Sequence, residues 1–565
     1  ASALSLRRDP RLLKLPPYLS LLCIVVGVVW LFLLPLDDYS RRTYISENAL
    51  LPGQVHTYFG GSDQNVFRAY KHETDELAGK GNIEVNDELE SIAKGLGLKV
   101  GRQNFTYSSA SNTHSGQNIY AILQAPRGDA TEAIVLVAAW KNVKGELKTT
   151  AAACPSSSPS PATSSVGRSG PKDIIFIFTL PTSASQSGAL QGAIALDYTR
   201  ETRFQSVHIV YDGVNGQLPN LDLINSVNHT MLRGMLKQGL GLASGPHSSF
   251  IPYHVDAVTL QPFGEGWQDE MAIGRVIEGT FRSLNNLLEH LHQSFFFYLL
   301  MQRERFVSIG TYLPSAMLVA ANFTIMAIAL WVKSGQPDVQ EIITEKTKTA
   351  EEAERIVSPN PHVASERDLF LPLVLVAVCQ FLGVVPLYLF NHLSESALVP
   401  AFVLFSVLSS ILPFLLSNLL HTSTTSTTTQ QYHLIRSFSL LLLGMFLSSL
   451  ATLNFSLAFF VGVFSAPLTF VRPCPNSSTL KWLSMVVLYV LSPTTVVLVA
   501  SMLPGLDEKV GCGLGEVLRQ AAFAWDVTGT YTPVVVWCVW WPAWIVGVVS
   551  VLGRPGAGDE KVKKA

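Results

Sequence analysis

The run YLSLLCIVVGVVWLFLLPL, from Tyr18 to Leu36, fixes the surroundings of this chain before any fold is considered. Roughly 19 residues at about 1.5 Å each reach about 28 Å, enough to cross the hydrocarbon core of a bilayer. Arg7, Arg8, Arg11 and Lys14 precede it, and PLDDYSRR after it has no small-residue cleavage site. The run therefore reads as a signal anchor whose N-terminus stays cytosolic, since positive flanks remain inside. Arg41 and Arg42 on the far side weaken that vote without reversing it. After Phe306 come seven more apolar runs: Val307–Val332, Leu369–Phe390, Leu398–Leu420, Ser437–Leu453, Ser456–Phe470, Leu480–Leu503 and Pro533–Leu552. Ser437–Phe470 is too long for one helix, and the polar Asn454 marks its midpoint turn. Eight spans put both termini in the cytosol. A hydrophobic fraction of 48%, only 15% charged residues and a mean hydropathy of +0.29 agree with an integral membrane protein.

Five regions follow: a cytosolic N-terminus (1–15), a first transmembrane helix (16–36), a luminal domain (37–305), a seven-helix membrane domain (306–553) and a cytosolic tail (554–565). The luminal region carries strand-like runs at Ala133–Ala139, Lys172–Thr179, Gly192–Tyr198 and Ser206–Asp212. Helical segments lie at Val85–Gly97 and Val276–His292. Strands alternating with helices imply an α/β fold on a mainly parallel sheet. Asn104 and Asn228 open glycosylation sequons that fit a luminal placement. Asn322 and Asn454 match the same pattern inside apolar runs and are discounted. The tail ends KVKKA, where Lys561 and Lys563 fit a dilysine ER-retrieval signal and equally a short solvated charge run.

Chemistry is sparse. A net charge of −2 with no basic stripe argues against nucleic acid. The six cysteines form no CxxC spacing; Cys154 sits in a Ser/Pro-rich segment and Cys512 in the loop-like GCGLG. Apart from Lys481 near one end, the last seven spans contain no ionisable residue, which suits helix packing better than ion transport. The strand IVLVAAWKN has the shape of the metal-binding strand of M28-type zinc aminopeptidases, whose strand ends in a His-x-Asp pair. Here Trp140 and Asn142 stand at those positions, and LPTSASQS follows the next strand where such enzymes carry a Glu pair. Trp cannot ligate and Asn is a poor carboxylate substitute, so neither a metal nor another cofactor is expected, nor a catalytic residue. The stretch EHLHQSFFFYLLMQRERF (Glu289 to Phe306) offers Glu289 and His292 at i, i+3 but no third ligand. It reads as a helix along the membrane surface, with Phe295 to Tyr298 as an aromatic belt and Arg303 and Arg305 at the luminal surface.

Four stretches then carry a resemblance: RRTYISENAL (Arg41–Leu50), NGQLPNLDLIN (Asn215–Asn225), LLEHLHQSFFFYLLMQRERFVSIGTYLP (Leu287–Pro314) and LNFSLAFF (Leu453–Phe460). In order and placement they resemble the GPI anchor attachment proteins, subunits of the ER GPI transamidase, from the first span to the last. The resemblance implies an M28-peptidase-like luminal α/β domain without catalytic metal, and an all-α domain of eight transmembrane helices, one N-terminal and seven C-terminal. It further implies a non-catalytic role in an ER complex with a caspase-like catalytic subunit and other membrane subunits, recruiting GPI lipid for transfer to proproteins. Two alternatives stay beside it: a scaffold for the catalytic subunit that never touches lipid, and an active zinc aminopeptidase. One region departs from the pattern. Helices expected between the strands at Ala133 and Lys172, and before Gly192, are replaced or shortened, so one sheet face is expected bare or covered by a partner, unless the sequence is faulty there.

Tyr44, Ser46, Glu47 and Asn48 lie just past the first span, and His292 and Gln293 just before the second. Both clusters are expected at one luminal interface, where neutral donors and acceptors suit sugar hydroxyls and phosphates and Glu47 suits an ammonium group. Ser46 and Glu47 also fit a helix N-terminus, Asn48 a turn, and His292 an ordinary interfacial residue. Acyl chains would lie near Asn454, Phe455 and Ser456.

Overall fold

The structure is a computed structural model. It describes residues 14–42, 57, 63–77, 80–109, 112–125, 132–139, 172–179, 189–197, 203–211, 218, 235, 238–241, 245–253, 255–286, 298–302, 305–335, 367–423, 429–472, 478–502 and 513–553. Tyr44, Ser46, Glu47, Asn48, Trp140, Asn142, Cys154, Asn228, His292, Gln293, Cys512, Lys561 and Lys563 lie outside the described residues.

Helix α1 (Pro16–Leu33) is followed by a two-residue strand β1 (Arg41–Arg42), then helices α2 (Asp63–Glu76) and α3 (Asn82–Gly95). Strands β2 (Lys99–Ser109), β3 (Asn112–Leu123), β4 (Glu132–Ala139), β5 (Asp173–Thr179), β6 (Ala189–Leu196), β7 (Phe204–Val210) and β8 (Ala257–Gln268) form a seven-stranded sheet. Its order is β2-β3-β5-β4-β6-β8-β7. The central four strands run parallel, and the outer pairings β2/β3, β3/β5 and β7/β8 are antiparallel.

The run AIVLVAA and the IIFIF of DIIFIFT are apolar at every position because both faces of the central strands are covered. Ile134, Leu136, Ile174 and Phe176 are buried on one face, against Val85, Leu89 and Ala93 of α3 and Ile273, Ile277 and Phe281 of α4 (Glu270–Asn286). On the other face Val135, Val137, Ile175 and Ile177 are buried with Phe250 of a 3₁₀ turn, Pro246–Tyr253. The bare face expected from the sequence is therefore not found.

At the bottom of β5, Lys172 is buried with its backbone N–H on Asn285 Oδ1 (3.1 Å) and its Nζ 3.8 Å from Glu132. Burial holds this ammonium below the usual lysine range, and Glu132 acts against that. Between its folded pKa and the higher unfolded one, the unfolded chain keeps a proton that the folded chain has lost. Stability should therefore rise with pH across that alkaline window, and the cost of burying the charge is fully present at neutral pH. Lys172→Met should flatten that alkaline rise, read by thermal melts of the full chain at neutral and alkaline pH.

A second sheet, β1-β10-β9, is formed by β9 (Tyr298–Gln302), β10 (Arg305–Ser308) and the short β1. The stretch Glu289 to Phe306 reads from the sequence as a surface helix; within it, residues 298–302 and 305–308 are an antiparallel hairpin, and 289–297 lie outside the described residues. Tyr298, expected in an aromatic belt, is fully buried edge-on against Phe306, with centroids 6.4 Å apart.

Helix α5 (Ile309–Ser334) leads into the bundle, followed by α6 (Phe370–His392), α7 (Glu395–Ser423), α8 (Thr429–Leu453), α9 (Phe455–Phe470), α10 (Ser478–Val490), α11 (Pro493–Met502), α12 (Leu514–Phe523) and α13 (Thr532–Leu552). Among the described residues, each apolar run read from the sequence is mainly helical. Among the described residues, six helices are long and apolar enough to cross a membrane, and α10 with α11 makes a seventh if their 52° bend counts as one span. Pro493, lacking an N–H, starts the second limb, and Ser492 Oγ caps it by accepting from Thr495 N at 3.2 Å. Helix α9 is shorter than a full crossing.

One boundary differs with consequence. The span read as starting at Ser437 starts at Thr429, so His433 and Arg436 lie inside a membrane-length helix. The last seven spans therefore do hold ionisable residues, contrary to the expectation from the sequence.

Candidate functional site

The first and second spans lie side by side, with the end of α1 at the start of α5. Trp30 Nε1 donates to Thr311 O at 2.8 Å. Gly27 brings the backbones together so closely that a Cβ on it would stand 2.8 Å from Ser315 O and 2.9 Å from Val319 Cγ2. Small residues serve this purpose where helices meet without a hydrophobic driving force.

The chain leaving α1 stays at this contact. Arg41 pairs with Phe306 and Arg42 with Arg305. Arg305 Nη1 lies 2.9 Å from Asp37 Oδ1 and donates to Ser40 Oγ at 3.0 Å. Arg305, read from the sequence as a surface residue before the second span, is the clasp between the exit of the first span and the entry of the second. Tyr44–Asn48 begin two residues beyond β1, and His292 and Gln293 end five residues before β9.

Asn454, Phe455 and Ser456 sit at the same end of the bundle, at the α8–α9 junction. The turn expected at Asn454 is present: its Oδ1 accepts from Leu457 N at 3.0 Å and caps α9. Its Nδ2 donates to Gln238 O at 3.3 Å, and Ser456 Oγ donates to Gln238 Oε1. Phe455 packs on Tyr312 of α5, ring centroids 4.6 Å apart. All three side chains are buried within the chain. Gln238 belongs to the sheet-domain half of the sequence, and nothing in its neighbourhood there announced the contact. Thr532 Oγ1, at the start of α13, donates to Gly239 O at 3.0 Å. The segment 238–241 thus ties the starts of α9 and α13 to the sheet domain.

Beside this tie a cavity of about 260 Å³ opens between α6, α9, α11, α12 and α13. Leu457, Phe460 and Phe464 of α9, Val497, Trp537 and Trp540 line it, and its walls are almost wholly apolar. No local sequence pattern signals it, because its walls come from five separate helices. Asn104, the sequon residue within the description, stands exposed on edge strand β2 and accepts from Gln117 Nε2 at 2.9 Å.

Comparison with known proteins adds a family. The family model described as Gaa1-like, GPI transamidase component, matches residues 115–182, 179–231 and 228–548. The GPI transamidase component GAA1 of Saccharomyces cerevisiae is 31% identical over 521 residues, 83% of this chain and 78% of that protein. The corresponding component of Schizosaccharomyces pombe is 28% identical over 523 residues, 80% of this chain and 81% of its own. Among solved structures, glutaminyl cyclase of Fimbriiglobus ruber matches 40% of this chain and 97% of its own at a TM-score of 0.27 and 13% identity. That of an Acidobacteriales bacterium matches 43% and 99% at 0.28 and 12%.

Proposed function

Since the chain belongs to the Gaa1-like family of GPI transamidase components, and so takes part in GPI-anchor attachment, we propose that it is the subunit that recruits and positions the GPI lipid. In this reading it contributes no catalytic residue and no metal: Trp140 and Asn142 replace the ligands of a peptidase-like domain, and transfer to the proprotein is done by a caspase-like partner subunit. The protein lies in the ER membrane with the sheet domain luminal, both termini cytosolic, and Asn104 and Asn228 glycosylated.

The observation that carries the reading is the pairing of Arg41–Arg42 with Phe306 and Arg305. It seats the strand that precedes Tyr44, Ser46, Glu47 and Asn48 in the same three-stranded sheet as β9, the strand that follows His292 and Gln293, although almost the whole sheet domain separates the two clusters in sequence. At the membrane surface these groups offer hydrogen bonds to sugar hydroxyls and phosphates, with Glu47 for the ethanolamine ammonium. Asn454, Phe455 and Ser456 act from behind, holding segment 238–241 in place, and an acyl chain lies along the neighbouring cavity beginning at Leu457.

Replacing His292 and Gln293 together by alanine should reduce attachment of a GPI-anchored reporter about tenfold or more, the scale of losing one or two hydrogen bonds to charged groups, while assembly of the complex is unchanged. Normal attachment in cells lacking the endogenous subunit sinks the proposal. A photo-crosslinkable GPI analogue separates it from a pure scaffold, which would label no better than its neighbours.

A further inference from the structure

The apolar cavity carries one polar side chain that has nothing to bind. Asn391, the last residue but one of α6, lines it at the end where Gly239 and Thr532 tie the bundle to the sheet domain. It is 5% exposed, and its carboxamide makes no hydrogen bond among the described residues. Thr532 Oγ1 already donates to Gly239 O. Two donors and an acceptor held in an apolar wall are costly unless a ligand meets them.

From that end the cavity follows α9 from Leu457 to Phe464 and α13 from Thr532 to Trp540, about 11 Å of helix. One leaflet of hydrocarbon is about 15 Å deep, so the cavity stays within the leaflet on the sheet-domain side. At its far end Phe464 and Trp540 stack, with ring centroids 5.8 Å apart and 13° between the planes. The wall of α13 is irregular there: Val535–Trp540 winds as a π-helix, and Trp541 N reaches back to Val536 O. Such segments are rare and concentrate at functional sites. Phe460 and Phe464 of α9 and Val496 and Val497 of α11 stay half-buried, and Val499 is 52% exposed, which leaves a way in from the bilayer between these helices.

Water suits this space poorly, because a buried water needs two to four polar partners and the walls are almost wholly apolar. Left empty, the lining would forfeit its packing on one side. A single hydrocarbon tail headed by a carbonyl satisfies both features. We propose that Asn391 donates to the ester or amide carbonyl at the head of one acyl tail of the GPI lipid, and that the Phe464–Trp540 pair closes the far end of the tail's site. This rests on the reading that the chain holds GPI, and it adds a selection: an acyl tail is preferred to an alkyl ether, which has no carbonyl and leaves the carboxamide unpaired.

The test uses the assembled complex carrying the full chain, with two GPI analogues that bear a photoreactive diazirine midway along one tail. In one that tail is joined by an ester, in the other by an ether. The ester analogue should label the peptides holding Phe464 and Trp540 about fivefold more than the ether, the scale of one hydrogen bond. Asn391→Leu, close in volume, should erase that preference and leave labelling by the ether unchanged. Val497→Phe, which fills the cavity, should lower labelling by both analogues about tenfold. If Asn391→Leu does not assemble, the ester–ether pair and Val497→Phe carry the test. Equal labelling by ester and ether, or an Asn391→Leu that weakens both alike, overturns the proposal. Label on this chain away from these walls overturns it and keeps the GPI reading, whereas no label on this chain overturns both. Phosphatidylcholine with the same ester tail, if it labels the walls equally and competes, assigns the cavity to bulk lipid and also overturns the proposal.

Discussion

Gly27→Leu should separate the first two spans. A Cβ alone at this position meets the backbone oxygen of Ser315 at 2.8 Å, and backbone cannot turn aside as a flexible side chain would. Overpacking of this kind costs about 1–3 kcal/mol, and a leucine side chain belongs at the upper end. The damage should not stop at the contact. As α1 is pushed from α5, the Trp30–Thr311 hydrogen bond stretches and the β1–β10 pairing loses its anchor. The expected outcome is a lower melting temperature of the purified full chain together with a GPI-attachment defect at least as large as that of the His292/Gln293 double variant. Gly310→Ala is the control, since a Cβ there meets nothing within 4 Å. Wild-type melting and attachment in Gly27→Leu would show that the two helices do not meet at this glycine.

Asn454→Leu should be the most damaging single change at the bundle–domain tie. The side chain does two jobs at once, accepting from Leu457 N to cap α9 and donating to Gln238 O. Loss of the cap costs about 1 kcal/mol, and stranding a buried carbonyl costs about 1–3 kcal/mol. A total of about 2–4 kcal/mol is expected in thermal unfolding of the full chain. Asn454→Ser separates the contributions, because serine still caps but is too short to reach Gln238. It should recover the capping share and leave the rest lost. Equal melting of the two variants would show that Gln238 O gains nothing from this side chain.

The bilayer made much of the fold readable. Its thickness turns hydropathy into helix length, and Tyr18–Leu36 and Val307–Val332 correspond to α1 and α5 within a few residues. The central strands were readable for a related reason: a strand buried on both faces has to be apolar along its middle, as Ile174 to Phe178 is within Asp173–Thr179. The hairpin β2–β3 was not, because GRQNFTYSS alternates no clear apolar face at the sheet edge. Arg436 hid the true start of α8, since a charge reads as the end of a span while the bundle buries it. The stretch from Tyr298 to Phe306 misled most. FFFYLLMQ favours a helix locally, and the strand is decided by pairing with Arg41 and Arg42, which no local pattern contains. At the site, Asn454 was legible as one polar residue between two apolar runs, whereas its partner Gln238 was not.

That same pairing sets an order of events in synthesis. Ser40 and Arg305 are 265 residues apart, yet they are hydrogen-bonded neighbours. At about 5–20 residues per second, the ribosome needs roughly 13–53 s after making Ser40 to deliver its partner. Throughout that interval the first helix has neither α5 nor the small sheet to rest on, and its Gly27 face is open to lipid or to a chaperone. The clasp therefore closes only after the intervening sheet domain has been made, and a chain stalled within that domain would present an unclasped first helix to quality control.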